Sequence, residues 1–319
     1  MSAVAQQALA LWGLNDRSCK LVAARENAVY RVEADAHPLA LRLHRQAYRS
    51  DAELRSELNW MAAAARGGLR VPAPIASDTG AYLCRVEGVQ VDMLTWLDGE
   101  TLDQALENGS TDRTTKFYEL GRQMARLHNV SDAWTAPHDF TRCAWDRDGL
   151  VGPDPLWGRF WENPALGSDD RALFTAFRER AHTALGALRL DYGLIHADLV
   201  PGNVMVDAGQ LALIDFDDGG YGYRLFDVVT ALLKLSSQPD FPALKDNLLR
   251  GYASVRDLDL AEFSLFMALR SVTYVGWNIA RADETGAAAR NTRFIDTARR
   301  FVRAYLGGED PLLASFSAP

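Results

Sequence analysis

Lysine is scarce in this sequence: of its 34 basic residues only Lys20, Lys116, Lys234 and Lys245 are lysines, and the rest are arginines. Neither kind gathers into a block, and with 42 acidic residues the net charge is −8, which argues against a nucleic-acid partner. Cysteine is rarer still. Cys19, Cys84 and Cys143 are odd in number and show no C-x-x-C spacing, which suits a reducing, cytoplasmic setting better than a disulfide framework. No apolar run approaches the roughly 18 residues that a membrane-spanning helix needs, so no membrane partner is expected. The opening stretch, MSAVAQQALALWGLND, has no basic segment and too short an apolar run for a secretory signal. Low-complexity tracts and internal repeats are absent as well.

What is present is an ordinary globular composition, 48% hydrophobic and 24% charged over 319 residues. At about 100–200 residues per domain this length suggests two lobes. The first hundred residues read as strands at 21–24, 29–33, 39–43, 81–87 and 89–96, with a short helix near 3–12. In 39–43 the leucines 39, 41 and 43 share one face and leave Ala40 and Arg42 on the other. A capping box at Ser50-Asp-Ala-Glu53 starts a helix that ends at Gly67-Gly68, with Leu54, Leu58, Met61 and Ala65 as its stripe and Glu57 at the border. After Leu97-Asp-Gly-Glu100 the pattern turns helical: helices from Thr101, over 112–129 and 169–187, and through most of 224–305. An irregular stretch at 134–165 is rich in tryptophan and phenylalanine. The fold class expected is α+β, with a small antiparallel β-rich lobe at 1–96 and a large, mainly helical lobe at 97–319.

The segment Gly193-Leu-Ile-His-Ala-Asp-Leu-Val-Pro-Gly-Asn-Val-Met-Val206 carries the chemistry, continued by Leu211-Ala-Leu-Ile-Asp-Phe-Asp217. A hairpin of 203–206 with 211–214, turning at Asp207-Ala-Gly-Gln210, brings Asn203 and Asp215 together. A carboxylate and an amide carbonyl there make a hard-oxygen site of the kind Mg2+ accepts when phosphates supply other ligands. Asp198, five residues before Asn203, would then face a hydroxyl about to be phosphorylated.

H-x-D-x-x-x-x-N followed by Asp-Phe-Asp resembles the aminoglycoside phosphotransferase and choline kinase superfamily, which has the protein-kinase-like fold. The resemblance spans about residues 20–305 and is closest to bacterial homoserine-kinase-like and stress-response-kinase-like phosphotransferases. It implies ATP and Mg2+, Asp198 as the catalytic carboxylate, and Asn203 and Asp215 as metal ligands. Asp217 would join the metal or the substrate, while His196 and Asp227 would brace the loop. Arg42 stands where most such enzymes place a phosphate-contacting lysine, and Glu57 matches its helix partner. Arginine keeps the charge but is not interchangeable with lysine. The loop Ala24–Ala28, with Asn27 at its tip and no glycine, would cover the phosphates, and the backbone at Thr95 and Leu97 would hold adenine.

The acceptor is read from what surrounds this motif. Only eleven residues separate Asp215 from Asp227, leaving no room for a long activation segment, and Ala197 replaces the arginine that would grip a phosphorylated one. A small hydroxylated molecule is therefore expected: an amino alcohol, a hydroxy amino acid or an aminoglycoside-like compound. Trp157, Arg159 and Trp161 either wall its pocket or form a hydrophobic plug. A stress-response-type protein Ser/Thr kinase, a non-catalytic nucleotide-binding pseudokinase and a two-carboxylate hydrolase are the alternatives. The hydrolase leaves Asn203 and the small lobe without a role.

Overall fold

The computed structural model describes residues 3–24 and 27–308; Arg25 and Glu26, in the expected phosphate-covering loop, lie outside the described residues. In chain order the elements begin α1 (Ala3–Leu9), β1 (Cys19–Ala24), β2 (Asn27–Val32), β3 (Leu39–His44), α2 (Asp51–Arg66), β4 (Pro74–Ile75), β5 (Leu83–Val86), β6 (Val89–Thr95), β7 (Glu100–Thr101), α3 (Leu102–Glu107) and α4 (Arg113–Ala133). They continue β8 (Ala144–Trp145), α5 (Arg147–Val151), α6 (Ser168–Ala187), β9 (Tyr192–Ile195), β10 (Val204–Asp207), β11 (Gln210–Leu213), β12 (Gly220–Tyr223), α7 (Arg224–Leu233), α8 (Phe241–Ala253), α9 (Phe263–Trp277) and α10 (Ala287–Gly307). Among the described residues no helix is long and apolar enough to cross a membrane.

The chain packs as two compact units. The first collects Met1–Thr111, Asn129–Arg142 and Pro201–Asp217, and the second takes the remainder. In the first, an antiparallel sheet runs β1-β2-β3-β6-β4, with β5 also paired to β6. Leu41 and Leu43 turn to a core with Tyr30, Val32, Val91 and Met93, capped by Ala5, Ala8 and Leu9 of α1. The opposite face of β3 is buried too, so Arg42 is only 8% exposed. α2 starts at the capping box: Ser50 Oγ accepts from the Glu53 N–H, and Glu53 accepts from the Ser50 N–H. Its buried side carries the expected Leu54, Leu58 and Met61 together with Glu57 and Trp60.

A second sheet of this unit, β11-β10-β7, holds the predicted hairpin in register, with Val204 opposite Leu213 and Asp207 opposite Gln210. β7 joins its edge beside the Leu97–Glu100 connector. Gly99 is required there. Its φ is +107°, and a Cβ would lie 2.2 Å from the Val206 carbonyl oxygen.

In the second unit, β8-β12-β9 forms a small sheet in which β12 runs parallel to β8 and antiparallel to β9. The helical core centres on α9, buried from Leu265 through Gly276, and on α7, buried along its whole length. One charged residue, Arg270, lies inside that stretch of α9 with no exposure.

Candidate active site

Cross-strand register builds the first cluster. Arg42 on β3 sits directly opposite Asp92 on β6, and the planar guanidinium meets the carboxylate as a fork, Nε and Nη2 each donating at 2.8 Å. Arg42 Nη1 donates to Glu57 Oε1 on α2 at 2.9 Å. His44 Nε2 lies 2.6 Å from Asp92 Oδ2, and its Nδ1 lies 3.2 Å from Asn27 Oδ1. Burial opposes charge on all three ionised partners, yet mutual attraction outweighs it. The Arg42 guanidinium is held above its ordinary value, Glu57 is held below its own by Arg42 and Arg142, and Arg42 with His44 pulls Asp92 down to about 2. Farther along β6, the Thr95 N–H is committed to the Ala73 carbonyl at 2.9 Å.

The same unit holds Asn203, Asp215 and Asp217 at one end of the β10–β11 hairpin. The Ile214 N–H donates to the Asn203 carbonyl at 3.0 Å, which keeps the two ends of the hairpin together. Asp215 has φ +65°, a left-handed conformation that side chains seldom adopt without support. Support follows in the next two residues. Arg142 donates to the Phe216 and Asp217 carbonyls at 2.9 and 2.5 Å and reaches Glu57 at 3.5 Å, and Arg49 adds a bond to the Asp217 carbonyl at 3.1 Å. Phe216 packs edge-on against Trp60. Burial, then the nearby Glu57, raises the Asp217 carboxyl above its ordinary value. Among the described residues no three His, Cys, Asp or Glu side chains gather around a metal position. One carboxylate with one carboxamide is nevertheless a fitting donor set for Mg2+, which leaves most of its coordination to waters and substrate phosphates.

In the second unit the loop after β9 is braced from α7. Asp227, fully buried, accepts the His196 N–H on Oδ2 at 2.8 Å and the Ala197 N–H on Oδ1 at 2.6 Å. Two such bonds hold Ala197 at φ +65° with no exposure. His128 on α4 fixes the brace, its Nε2 3.0 Å from Asp227 Oδ2 and its Nδ1 2.8 Å from the Tyr252 hydroxyl. Burial holds His128 below its ordinary pKa, so the neutral ring donates from Nε2 and accepts from Tyr252. Asp227, against the cost of its burial, is held low by His128 and the loop N–H. Asp198 emerges from this loop with its side chain 24% exposed, and Oδ1 accepts from Arg270 Nη2 at 2.7 Å.

The aromatic stretch is mostly packing. Trp157 contacts Trp145, Tyr274 and Trp277, and its ring lies 4.6 Å from the Arg270 guanidinium. Trp161 packs on Phe160 and under Arg178, while Arg159 donates to the Pro153 carbonyl at 2.8 Å. Several residues that complete these clusters were not singled out from the sequence: Asp92, His44, Arg49, Arg142, His128 and Arg270. Two carried a signal. Asp92 stands in Val89-Gln-Val-Asp-Met-Leu, and Arg270 in Leu265-Phe-Met-Ala-Leu-Arg-Ser-Val, and a charge inside an apolar run needs a partner.

The model of a phosphotransferase enzyme family matches residues 18–264. Amicoumacin kinase of Bacillus subtilis (strain 168) is 26% identical over 308 residues, covering 86% of this chain and 83% of that protein. A microcompartment-associated aminopropanol kinase of known structure is 30% identical, with a TM-score of 0.83 over 96% of this chain and 97% of its own. Another amicoumacin kinase, solved with AMP-PNP and Ca2+, shares the fold at 21% identity and a TM-score of 0.77, with 92% of each chain covered.

Proposed function

The chain belongs to the phosphotransferase enzyme family, and from that premise we propose how its residues carry out ATP-dependent phosphoryl transfer to the hydroxyl of a small molecule. The observation that carries the reading is the braced loop. Asp227 fixes the His196 and Ala197 backbone, and Asp198 leaves that anchored turn partly exposed with one oxygen already oriented. Asp198 is the catalytic residue: it orients the acceptor hydroxyl and takes its proton. The new bond joins the acceptor oxygen to the γ-phosphorus as the bond to the β-phosphate oxygen breaks. In a loose transition state, positioning and charge supply most of the acceleration.

Asn203 and Asp215 would hold Mg2+, with Asp217 beside them. When bound, the ion neutralises phosphate oxygens that an acidic chain would otherwise repel. Arg42 belongs to nucleotide binding with Glu57. Its three engaged N–H groups leave two for phosphate oxygens. Asn27 stands beside this network through His44. Adenine would be met by the backbone of Thr95 and Leu97, chiefly Leu97, because the Thr95 N–H is already committed to Ala73. In this proposal residues 1–96 serve the nucleotide, residues 97–319 serve the metal and acceptor, and the enzyme works in the cytoplasm, where ATP is made.

The acceptor is a small hydroxylated metabolite, such as an amino alcohol, a hydroxy amino acid or an aminoglycoside-like compound. Relatives named for acceptors as different as amicoumacin and aminopropanol support that class rather than one member. Within the aromatic stretch, Trp157 would contribute through Arg270, and Arg159 and Trp161 would line the outer pocket. ATP consumption measured with MgATP across hydroxylated metabolites tests the reading. Asp198→Asn should bind ATP as the parent does while turnover with the best acceptor falls by about 100-fold or more. Unchanged turnover would remove Asp198 from the mechanism, and label passing from ATP to protein bands instead of metabolites would overturn the acceptor class.

A further inference from the structure

Arg270, like Arg224, is a fully buried cation of the second unit. Its exposure is zero, its guanidinium lies 4.4 Å from the Tyr274 ring centre, 4.6 Å from Trp157 and 5.4 Å from Phe226, and α9 around it is otherwise apolar and hydroxylic. Only Nη2 is hydrogen-bonded, to Asp198 Oδ1 at 2.7 Å and to the Tyr274 hydroxyl at 3.0 Å, while Nε and Nη1 are buried with no hydrogen-bond partner. Such a group opposes folding. Desolvating a guanidinium is costly, unpaired buried N–H groups add to the cost, and an apolar side chain of similar volume would serve the core better. What offsets it locally is the stacking of three aromatic faces and a single carboxylate. That carboxylate is the one assigned to the acceptor hydroxyl.

We propose that Arg270 is a positioning residue of the transfer reaction: by holding Oδ1 of Asp198 it sets the carboxylate plane, so that the acceptor hydroxyl is met by Oδ2. The inference rests on the reading of Asp198 given above and adds a second residue to it. Two features make the arrangement rigid. The guanidinium cannot rotate away without leaving the Trp157 and Tyr274 faces, and the Tyr274 hydroxyl accepts a bond from the same nitrogen that grips Asp198. Burial pushes the Tyr274 phenol up to about 12, so it stays protonated at any working pH. A consequence concerns the acceptor. The Trp157–Tyr274 box is filled by the enzyme's own cation, so an ammonium group on the acceptor has to be received elsewhere.

The test compares Arg270→Ala, Arg270→Lys and Asp198→Asn, using MgATP with aminopropanol as acceptor probe and, in parallel, slow MgATP hydrolysis with water as acceptor. Arg270→Ala should lower kcat by about 100-fold, as expected for loss of a group that orients a general base, with the KM for ATP within about twofold. Guanidinium ion added to Arg270→Ala should restore at least about a tenth of the lost rate by entering the vacated box, but should do nothing for Asp198→Asn. Arg270→Lys, which keeps the charge but not the fork, should fall between Arg270→Ala and the parent. A merely structural arginine would show instead a lowered melting temperature, no rescue by guanidinium and a parallel loss of ATP affinity, and that pattern overturns the proposal. So does Arg270→Ala with kcat near that of the parent while Asp198→Asn is inactive. If Asp198→Asn itself keeps full turnover, the reading of Asp198 fails first and the proposal falls with it.

Discussion

Asp92 has no solvent exposure, yet burial does not neutralise it, because Arg42 forks onto both its oxygens and His44 meets one of them. Its folded pKa of about 2 lies below the roughly 3.9 of an unfolded aspartate. The sign follows from that depression. The carboxylate contributes its stabilisation above about pH 4 and loses it as pH falls toward about 2, the full difference being about 2–3 kcal/mol. Urea unfolding of the parent should therefore be nearly flat in pH from 7 to about 5 and steepen below 4. Asp92→Asn should be less stable at pH 7, since Arg42 keeps only Glu57, and its acid limb should be shallower. Parallel acid limbs in the two proteins would show that Asp92 titrates normally and is not tied to Arg42. The same geometry explains how Arg42 differs from a lysine: a single ammonium cannot fork onto Asp92 and reach Glu57 at once.

Helix packing shows how much an element can depend on the absence of one atom. α4 and α8 approach so closely that a Cβ on Gly121 would lie 2.0 Å from the Leu248 carbonyl oxygen, and one on Gly251 would lie 1.9 Å from that of Tyr118. Helix propensity favours alanine over glycine by about 1 kcal/mol, whereas forcing backbone apart in a packed core costs about 1–3 kcal/mol or more. The clash wins. Gly251→Ala should lower the thermal midpoint by several degrees, and a raised midpoint would mean that the two helices separate freely. Because α4 also carries His128, the Asp227 brace should loosen with it. At this scale the sequence was legible where periodicity is strong: the strands at 39–43 and 89–96, the capped helix from Ser50 and the hairpin after Asn203 all formed. β7 and β12 were not legible. β7 is only two residues long, and β12 is Gly-Tyr-Gly-Tyr, whose glycines offer no apolar side chain to mark a strand yet matter because a Cβ on Gly220 would lie 2.4 Å from the Cys143 carbonyl oxygen.

The whole chain separates two chemistries that one short motif joins. It leaves the second unit after Val200 and returns to it at Asp218, so Asn203 and Asp215 belong to the same compact unit as the Arg42 cluster, while Asp198 belongs to the unit whose helices carry Asp227 and Arg270. The motif was readable because its members lie within about twenty residues of one another. The groups that orient it were not, since Asp92 is 50 residues from Arg42, and Arg270 is 72 from Asp198. Packing alone brings such pairs together. For an acidic protein, with net charge −8, taking up a polyanionic nucleotide, the division predicts that metal-dependent ATP binding and phosphoryl transfer are lost by different substitutions. A ligand at about 100 times its Kd stabilises the folded state by about 2.7 kcal/mol, a thermal shift that is easily measured. Adding ATP should shift the parent and Asp198→Asn equally, and only when Mg2+ is present. Asp215→Asn should lose the Mg2+-dependent part of the shift while keeping the melting temperature of the unliganded protein within a few degrees. The hairpin should stay folded without this proposed metal ligand, because Arg142 and Arg49 hold the backbone of Phe216 and Asp217 by their carbonyls. If Asp198→Asn loses the Mg2+-dependent shift and Asp215→Asn keeps it, the roles of the two aspartates are reversed.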